Sequence, residues 1–194
     1  MPDSQLIYTP SPREGALRQS EILSDIAQSK LSLESIRSET ENPEIEYVTH
    51  PFVMVMGQDC DLELDYKARN GIDSVKPDKM IPNILFCEIT TAGKLFQLVA
   101  GADVWKRIRQ NDHPRYQFLQ KAGESDDALG QGLPELGIDF KRYFSLPTDE
   151  VYLRISLGKT YRRCFMKNPY LEHVTTRFYA YKSRVALPMD HQSE

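Results

Sequence analysis

The sequence contains no run of about 18 apolar residues, the length that a membrane-spanning helix requires. It also lacks the charged and then apolar pattern of a secretory signal peptide, since its N-terminus reads MPDSQLIYTPSPREG. Cysteine is scarce: only Cys60, Cys87 and Cys164 occur, without a CxxC pair, and an odd number argues against a disulfide framework. These absences predict a cytoplasmic protein without a membrane-spanning segment.

Signatures of the commonest enzyme classes are missing as well. The chain has neither GxxxxGK(S/T) nor GxGxxG, the glycine-rich loops that hold nucleotide phosphates. It has neither the GxSxG of many serine hydrolases nor the HExxH of zinc proteases. The spacing of its Cys and His residues matches no common zinc site. We therefore expect neither a cofactor nor a bound metal.

The composition is that of an ordinary globular chain. Of the 194 residues, 40% are hydrophobic and 27% are charged, which excludes wholesale disorder and favours one domain. Ten Tyr and eight Phe against one Trp favour an architecture that contains a sheet. We expect a disordered leader over residues 1–15, a single β-rich domain over 16–188 and a frayed tail over 189–194.

Hydrophobic patterning predicts a mostly antiparallel sheet. The clearest strand runs from Tyr47 to Met56 and is apolar from Phe52 onward, and this apolar run ends at Gly57, a pattern typical of a strand buried on both faces. The segment from Leu17 to Ile36 fits either a short strand near 22–26 or a weak helix. Further strands are predicted at 83–90, 115–119, 138–144 and 151–157, the last two from their alternation of apolar and polar residues.

Two helices are predicted to pack against this sheet, which makes the fold class α+β. Thr90 or Thr91 can cap a helix that runs to about Gln110, because apolar residues recur there at intervals of three and four. Asn168 and Pro169 suit the beginning of a second helix over 168–183. Its predicted buried stripe consists of Leu171, Val174, Phe178 and Tyr181.

The charge of the chain is unevenly distributed. The net charge is −4, yet the segment from Asp139 to Arg184 has ten Lys and Arg against four Asp and Glu. This +6 quarter is either a solvated face of the domain or a surface for nucleic acid or an acidic protein partner. Arginine holds phosphate and flat rings stack on bases, so the second reading predicts a binding module. The candidate binding residues are Lys141, Arg142, Arg162, Arg163, Tyr170, Arg177 and Arg184.

The turn Gln58-Asp59-Cys60-Asp61 follows the clearest strand and permits three interpretations. Cys60 is a nucleophile if a histidine activates it, or a metal ligand together with Cys87, His173 or a carboxylate. The interpretation we favour is structural: Asp59 or Asp61 pairs with an arginine such as Arg115, Arg142 or Arg177, and Cys60 is buried. The first interpretation defines the alternative function, a hydrolytic or nucleolytic effector. Its candidate catalytic residues are Cys60, Asp61 and His173, with Arg177.

Two segments resemble the first strands of the MazF/PemK-like barrels, which open on a Gly-Asp-Ile type strand and continue with an Arg-Pro-apolar-Val run. These segments are Gln19-Ser20-Glu21-Ile22-Leu23 and His50-Pro51-Phe52-Val53-Met54-Val55-Met56. Ser20-Glu21 stands where the family has Gly-Asp, and His50 replaces the arginine of the family's ribonuclease site, so RNA cleavage does not carry over. The Gln-Asp-Cys-Asp turn is similar to a signature of an uncharacterised bacterial group with such barrels.

The resemblance implies a small, SH3-like, partly open barrel of mostly antiparallel strands with packed helices. It further implies a prokaryotic toxin–antitoxin or phage-defence setting. In that setting the chain is either a binding module or a structural subunit of a larger defence-type complex.

Overall fold

The computed structural model describes residues 7–38, 43–99 and 101–184. In this part of the chain the fold is α+β, with one seven-stranded sheet and six α-helices. The strands are β1 (Tyr8–Pro10), β2 (Ile22–Leu31), β3 (Ile45–Val55), β4 (Asn83–Thr91), β5 (Tyr116–Leu119), β6 (Leu136–Pro147) and β7 (Tyr161–Met166). The helices are α1 (Leu33–Ser38), α2 (Asp59–Arg69), α3 (Ala92–Leu98), α4 (Ala102–Arg109), α5 (Thr148–Ser156) and α6 (Tyr170–Lys182).

The sheet is antiparallel throughout and has the order β1-β7-β2-β3-β4-β6-β5. Its two edge strands approach each other at one corner, where Tyr8 Oη of β1 donates a hydrogen bond of 2.9 Å to the carbonyl oxygen of Gln120, just after β5. Tyr8 also shares a hydrophobic core with Leu119 of β5. The sheet is therefore curled, but it is not closed by a β1–β5 ladder within the described residues.

Both faces of the sheet are covered, and for this reason β3 is fully buried over residues 53–55. One hydrophobic core lies beneath α6, where the rings of Phe140 and Phe178 meet edge to face at 5.9 Å. The other core contains Leu62 of α2 and Val151 of α5. The predicted burial on both faces is confirmed for residues 53–55, whereas residues 45–47 of β3 are exposed.

The buried stripe predicted for the last helix, α6, is largely confirmed. Val174 and Phe178 are buried, while Leu171 and Tyr181 pack against the same core and remain partly exposed. The helix begins at Tyr170 rather than at residue 168, because Asn168 and Pro169 form the turn that precedes it.

Two predicted elements differ from the structure. The segment over 151–157 belongs mainly to helix α5, since Val151 is buried, Tyr152 and Ile155 pack behind it, and the acidic residues Asp149 and Glu150 occupy the first turn. The predicted helix over 91–110 is two helices, α3 and α4, separated near Gly101, whose φ of 92° no helix accommodates.

Two segments contain regular structure that the sequence patterns do not predict. Helix α2 begins at Asp59 and buries Leu62, Asp65 and Ala68 at intervals of three. Within the expected leader, Tyr8–Pro10 forms β1 and pairs with residues 164–166 of β7. Residues 1–6 and the predicted tail over 189–194 lie outside the described residues.

Candidate anion-binding surface

The turn between α4 and β5 is held in place by Asn111. This residue has a φ of 55°, which asparagine tolerates better than most residues. Its side-chain oxygen accepts a 2.6 Å hydrogen bond from Phe118 N, and its amide group donates one of 3.2 Å to Phe118 O. The side chains of His113 and Arg115 are therefore presented from a fixed backbone.

Helix α6 adds a guanidinium group to this turn. Arg177 donates hydrogen bonds of 2.5 Å to Gln117 Oε1, 2.5 Å to the carbonyl oxygen of His113 and 3.1 Å to that of Tyr116. All three acceptors are neutral, and within the described residues no carboxylate lies within ion-pair distance of Arg177. Burial lowers the pKa of Arg177 from its ordinary value, and Asp112 acts weakly in the opposite sense. Arg177 is thus a fixed cation whose charge is not neutralised by a direct partner.

The imidazole of His113 lies among further cations. Its Nδ1 accepts a 3.3 Å hydrogen bond from Arg115 N, which places the ring proton of the neutral form on Nε2. Burial lowers the pKa of His113, and the guanidinium groups of Arg107, Arg115, Arg177 and Arg184 lower it further. We call Arg107, His113, Arg115, Arg177 and Arg184 the cationic surface. Arg115 is paired with Asp139 at 2.6 Å and Arg107 with Asp112 at 3.3 Å, so within the described residues the cations of this surface without a carboxylate partner are Arg177 and Arg184.

Aromatic rings support several of these cations. The Arg115 guanidinium lies 4.8 Å from the centre of the Tyr116 ring, and the Arg184 guanidinium lies 3.9 Å from that of Tyr181. Next to them, Lys182 Nζ lies 3.5 Å from the centre of the Tyr143 ring. Of these three rings, Tyr143 is 44% exposed, whereas Tyr116 is buried and Tyr181 packs partly against the core beneath α6.

The structure removes two residues from the predicted binding surface. Arg162 Nε lies 2.6 Å from Glu21 Oε1, and Arg163 Nη2 lies 2.7 Å from Asp127 Oδ2. Both arginine side chains are less than a tenth exposed, because β7 is an interior strand and carries them into the domain. Their assignment to a binding surface is wrong, since their charges are neutralised inside the protein.

The other candidate binding residues occupy different places. Arg177 and Arg184 belong to the cationic surface, and Lys141 is exposed on β6. Arg142 turns towards the sheet, with Nη1 at 3.5 Å from Glu88 Oε1. Tyr170 is half-buried against the core beneath α6.

The Gln58-Asp59-Cys60-Asp61 segment forms the start of α2. Cys60 is exposed, and its Sγ lies 3.8 Å from both Gln58 Oε1 and Asp61 Oδ1, so the expectation of a buried thiol is wrong. Asp59 is ion-paired as the structural interpretation requires, but with Arg18 at 3.0 Å and not with Arg115, Arg142 or Arg177. Burial acts to raise the pKa of Asp59, but the hydrogen bonds from Arg18 and Gln19 N bring it below its ordinary value.

The residues of the alternative effector site are not joined by contacts. Within the described part of the chain, neither Cys60 nor Asp61 makes a hydrogen bond or ion pair with His173 or Arg177. His173 instead lies near Arg177 on α6, and burial together with this cation lowers its pKa. In residues 7–38, 43–99 and 101–184, no three His, Cys, Asp or Glu side chains converge as metal ligands.

A β-bulge creates a polar cavity beside the cationic surface. Cys87 of β4 pairs with Tyr143 of β6, whereas Ile89 pairs with Ile138, so that Glu88 lies opposite residues 139–142. Such bulges redirect side chains. We call the resulting cavity, of about 260 Å³, the bulge cavity. It is lined by Glu88, Thr90, Leu95, Leu98, Arg115, Tyr116, Asp139 and Arg142.

A larger cavity, of about 620 Å³, lies between α2, α5 and residues 13–15. Two of its three arginines are already paired, Arg69 with Asp65 and Asp149 and Arg162 with Glu21. The third, Arg13, is exposed.

The sequence patterns do not place His113 or Arg115 in a binding surface, and they do not reveal the bulge. The predicted strand over 115–119 begins within the His-Pro-Arg-Tyr run from His113 to Tyr116. The mixture of imidazole, guanidinium and phenol in four consecutive residues was the available signal. No sequence pattern marks the bulge, because residues 138–144 alternate as in a regular strand.

Comparisons with known proteins return no relative: no family model, curated protein or solved structure matches the chain. In the described residues no helix is long and apolar enough to cross a membrane.

Proposed function

We propose that the protein is a binding module that holds a single strand of nucleic acid on its cationic surface. The observation that carries this proposal is Arg177, a fixed and partly buried guanidinium whose direct partners are all neutral. A phosphate is the natural counter-ion, because its oxygens match the geometry of guanidinium donors.

The surroundings of Arg177 favour a single strand over a compact anion. Arg115 and Arg184 cover the rings of Tyr116 and Tyr181, whereas the Tyr143 ring beside Lys182 is 44% exposed. An exposed ring beside cations suits a strand, because a base stacks on the ring while phosphates contact the cations. The remainder of the chain carries a net charge of −10, which repels a longer polymer and limits binding to this surface.

The proposal is tested by fluorescence anisotropy with a short labelled oligouridine. The double variant Arg177→Gln with Arg184→Gln is expected to weaken binding at low salt by at least about tenfold, because both phosphate contacts are lost. Arg37→Gln is the matched control, since Arg37 is an exposed arginine of α1 outside the cationic surface. Its affinity is expected to equal that of the wild type.

Two results would overturn the proposal. Oligouridine and oligothymidine that fail to bind at low salt would exclude a nucleic-acid strand and leave an acidic protein partner as the occupant. Binding that the double variant leaves unchanged would place the strand on another surface.

The SH3-like, partly open barrel and the toxin–antitoxin or phage-defence setting stay predictions from the family resemblance. The curl that brings Tyr8 to Gln120 supports the barrel. The hydrolytic or nucleolytic alternative has no contact between Cys60, Asp61 and His173 in its favour, and no specific observation favours a purely structural subunit.

A further inference from the structure

We propose that the bulge cavity binds a guanine base of the strand that the cationic surface holds. This inference rests on the proposed function and gives it a base preference. Arg115 belongs to both places, and Tyr116, which also lines the cavity, packs beside His113. A strand whose phosphates contact Arg177 and Arg184 therefore passes the mouth of the cavity.

The polar side chains of the cavity differ in how many of their hydrogen-bonding positions are already used. Asp139 is fully engaged, because it accepts hydrogen bonds of 2.8 and 2.6 Å from Arg115 and one of 3.0 Å from Lys141 N. Among the described residues, the polar contact of the Glu88 side chain is a long one of 3.5 Å from Arg142, although this side chain is just 28% exposed. Arg142 in turn reaches Asp139 only at 3.8 Å. Glu88 and Arg142 therefore retain hydrogen-bonding capacity that a ligand can use.

The remaining walls suit a flat ring. Leu95, Leu98 and Tyr116 supply apolar and aromatic surface, and Thr90 adds a half-buried hydroxyl group. The volume of about 260 Å³ lies below the roughly 300–1,000 Å³ of drug-sized sites, which suits one base rather than a whole nucleotide.

Guanine fits the polar pair better than the other bases. A carboxylate accepts two parallel hydrogen bonds, and only guanine offers two neighbouring donors, N1–H and the N2 amino group, on its Watson–Crick edge. The adjacent O6 is an acceptor, and guanidinium groups are its usual protein partners. Glu88 would take the two donors and Arg142 would donate to O6.

The test compares oligouridine with the same strand carrying one central guanosine. We expect the guanosine strand to bind about tenfold more tightly, the scale of one bidentate base contact. Glu88→Gln is expected to abolish this difference and to leave the affinity for oligouridine unchanged, because Glu88 contacts no phosphate in this account. The control is Glu124→Gln, which alters an exposed carboxylate outside the cavity. If Glu88→Gln fails to fold, Arg142→Gln replaces it in the test, because the Arg142 side chain is exposed. This variant is likewise expected to reduce the preference for the guanosine strand.

The outcomes separate this inference from the proposed function. The guanine site is overturned if the wild type binds both strands equally, or if the guanosine preference survives in Glu88→Gln. In either case, binding of oligouridine still upholds the cationic surface. If no strand binds, calorimetry with guanosine and uridine monophosphates decides. Guanosine monophosphate that binds through Glu88 upholds the cavity alone, and no binding of either nucleotide overturns both proposals.

Discussion

The guanidinium group of Arg177 lies 2.5 Å from the carbonyl oxygen of His113, and this contact ties the last helix to the turn before β5. The two residues are 64 positions apart in the chain. Their contact brings cations from α4, from the turn and from α6 onto one surface. None of these three segments forms that surface alone.

The first prediction concerns the three thiols. Iodoacetamide is expected to modify Cys60 alone in the native protein, because Cys60 is exposed whereas burial raises the pKa of Cys87 to about 12 and raises that of Cys164 further. Peptide mass mapping locates the adduct, and the denatured protein, in which all three react, is the control. Native modification of Cys87 or Cys164 on the same timescale would contradict the packing described.

The second prediction concerns the core beneath α6. Phe178→Ala is expected to lower the free energy of unfolding by about 3–5 kcal/mol, because the ring is 1% exposed and packs on Phe140. Tyr179→Ala, at the neighbouring exposed position, is expected to cost less than about 1 kcal/mol. Urea denaturation measures both. Equal losses would mean that the helix faces the core differently.

The third prediction concerns the buried pair of Arg162 and Glu21. Arg162→Met is expected to destabilise the protein by about 3–5 kcal/mol, because it leaves the Glu21 carboxylate buried without its partner. Adding Glu21→Leu is expected to recover much of that loss, since no unpaired charge then remains. Thermal and urea denaturation report the three stabilities. A single variant as stable as the wild type would indicate that Arg162 faces solvent.

The fourth prediction concerns pH. The pKa of His113 lies below its ordinary value, so the imidazole is neutral at pH 7, and a bound phosphate favours its protonated form. Binding therefore takes up a proton, and the affinity for oligouridine is expected to rise as the pH falls from about 7.5 to about 5.5. His113→Asn keeps an acceptor for Arg115 N and is expected to flatten this dependence. An affinity that falls with acidification would contradict the placement of His113 beside the bound strand.

Local patterning predicted several elements because their own residues determine them. The strand at 52–56 and the helix over 170–182 were predictable from an apolar run and from an apolar stripe at helical spacing. Residues 151–157 fit both a strand and a helix, and the acidic first turn of α5 was the missed cue. Helix α2 buries Asp65, which accepts hydrogen bonds from Arg69 and Ile81 N, and an apolar pattern does not reveal such an element.

The candidate site was less predictable, because charge counting does not reveal partners distant in sequence. Arg162 meets Glu21 across 141 positions, so its charge was counted as available although it is neutralised. The segment of His113 and Arg115 lies outside the basic quarter and contributes to the surface only after folding. Arg177 and Arg184 both lie near His113, and the other residues of the cationic surface come from α4 and the turn that follows it.

The most direct test of the central claim is the dependence of oligouridine affinity on salt. Each phosphate neutralised by the protein contributes about −0.7 to the slope of log affinity against log salt for a single strand. Arg177, Arg184 and the adjacent Lys182 therefore predict a slope of about −2. Arg177→Gln with Arg184→Gln is expected to make that slope shallower by about 1.4, and Arg37→Gln to leave it unchanged. A wild-type slope near zero, or one that the double variant does not alter, would contradict the account.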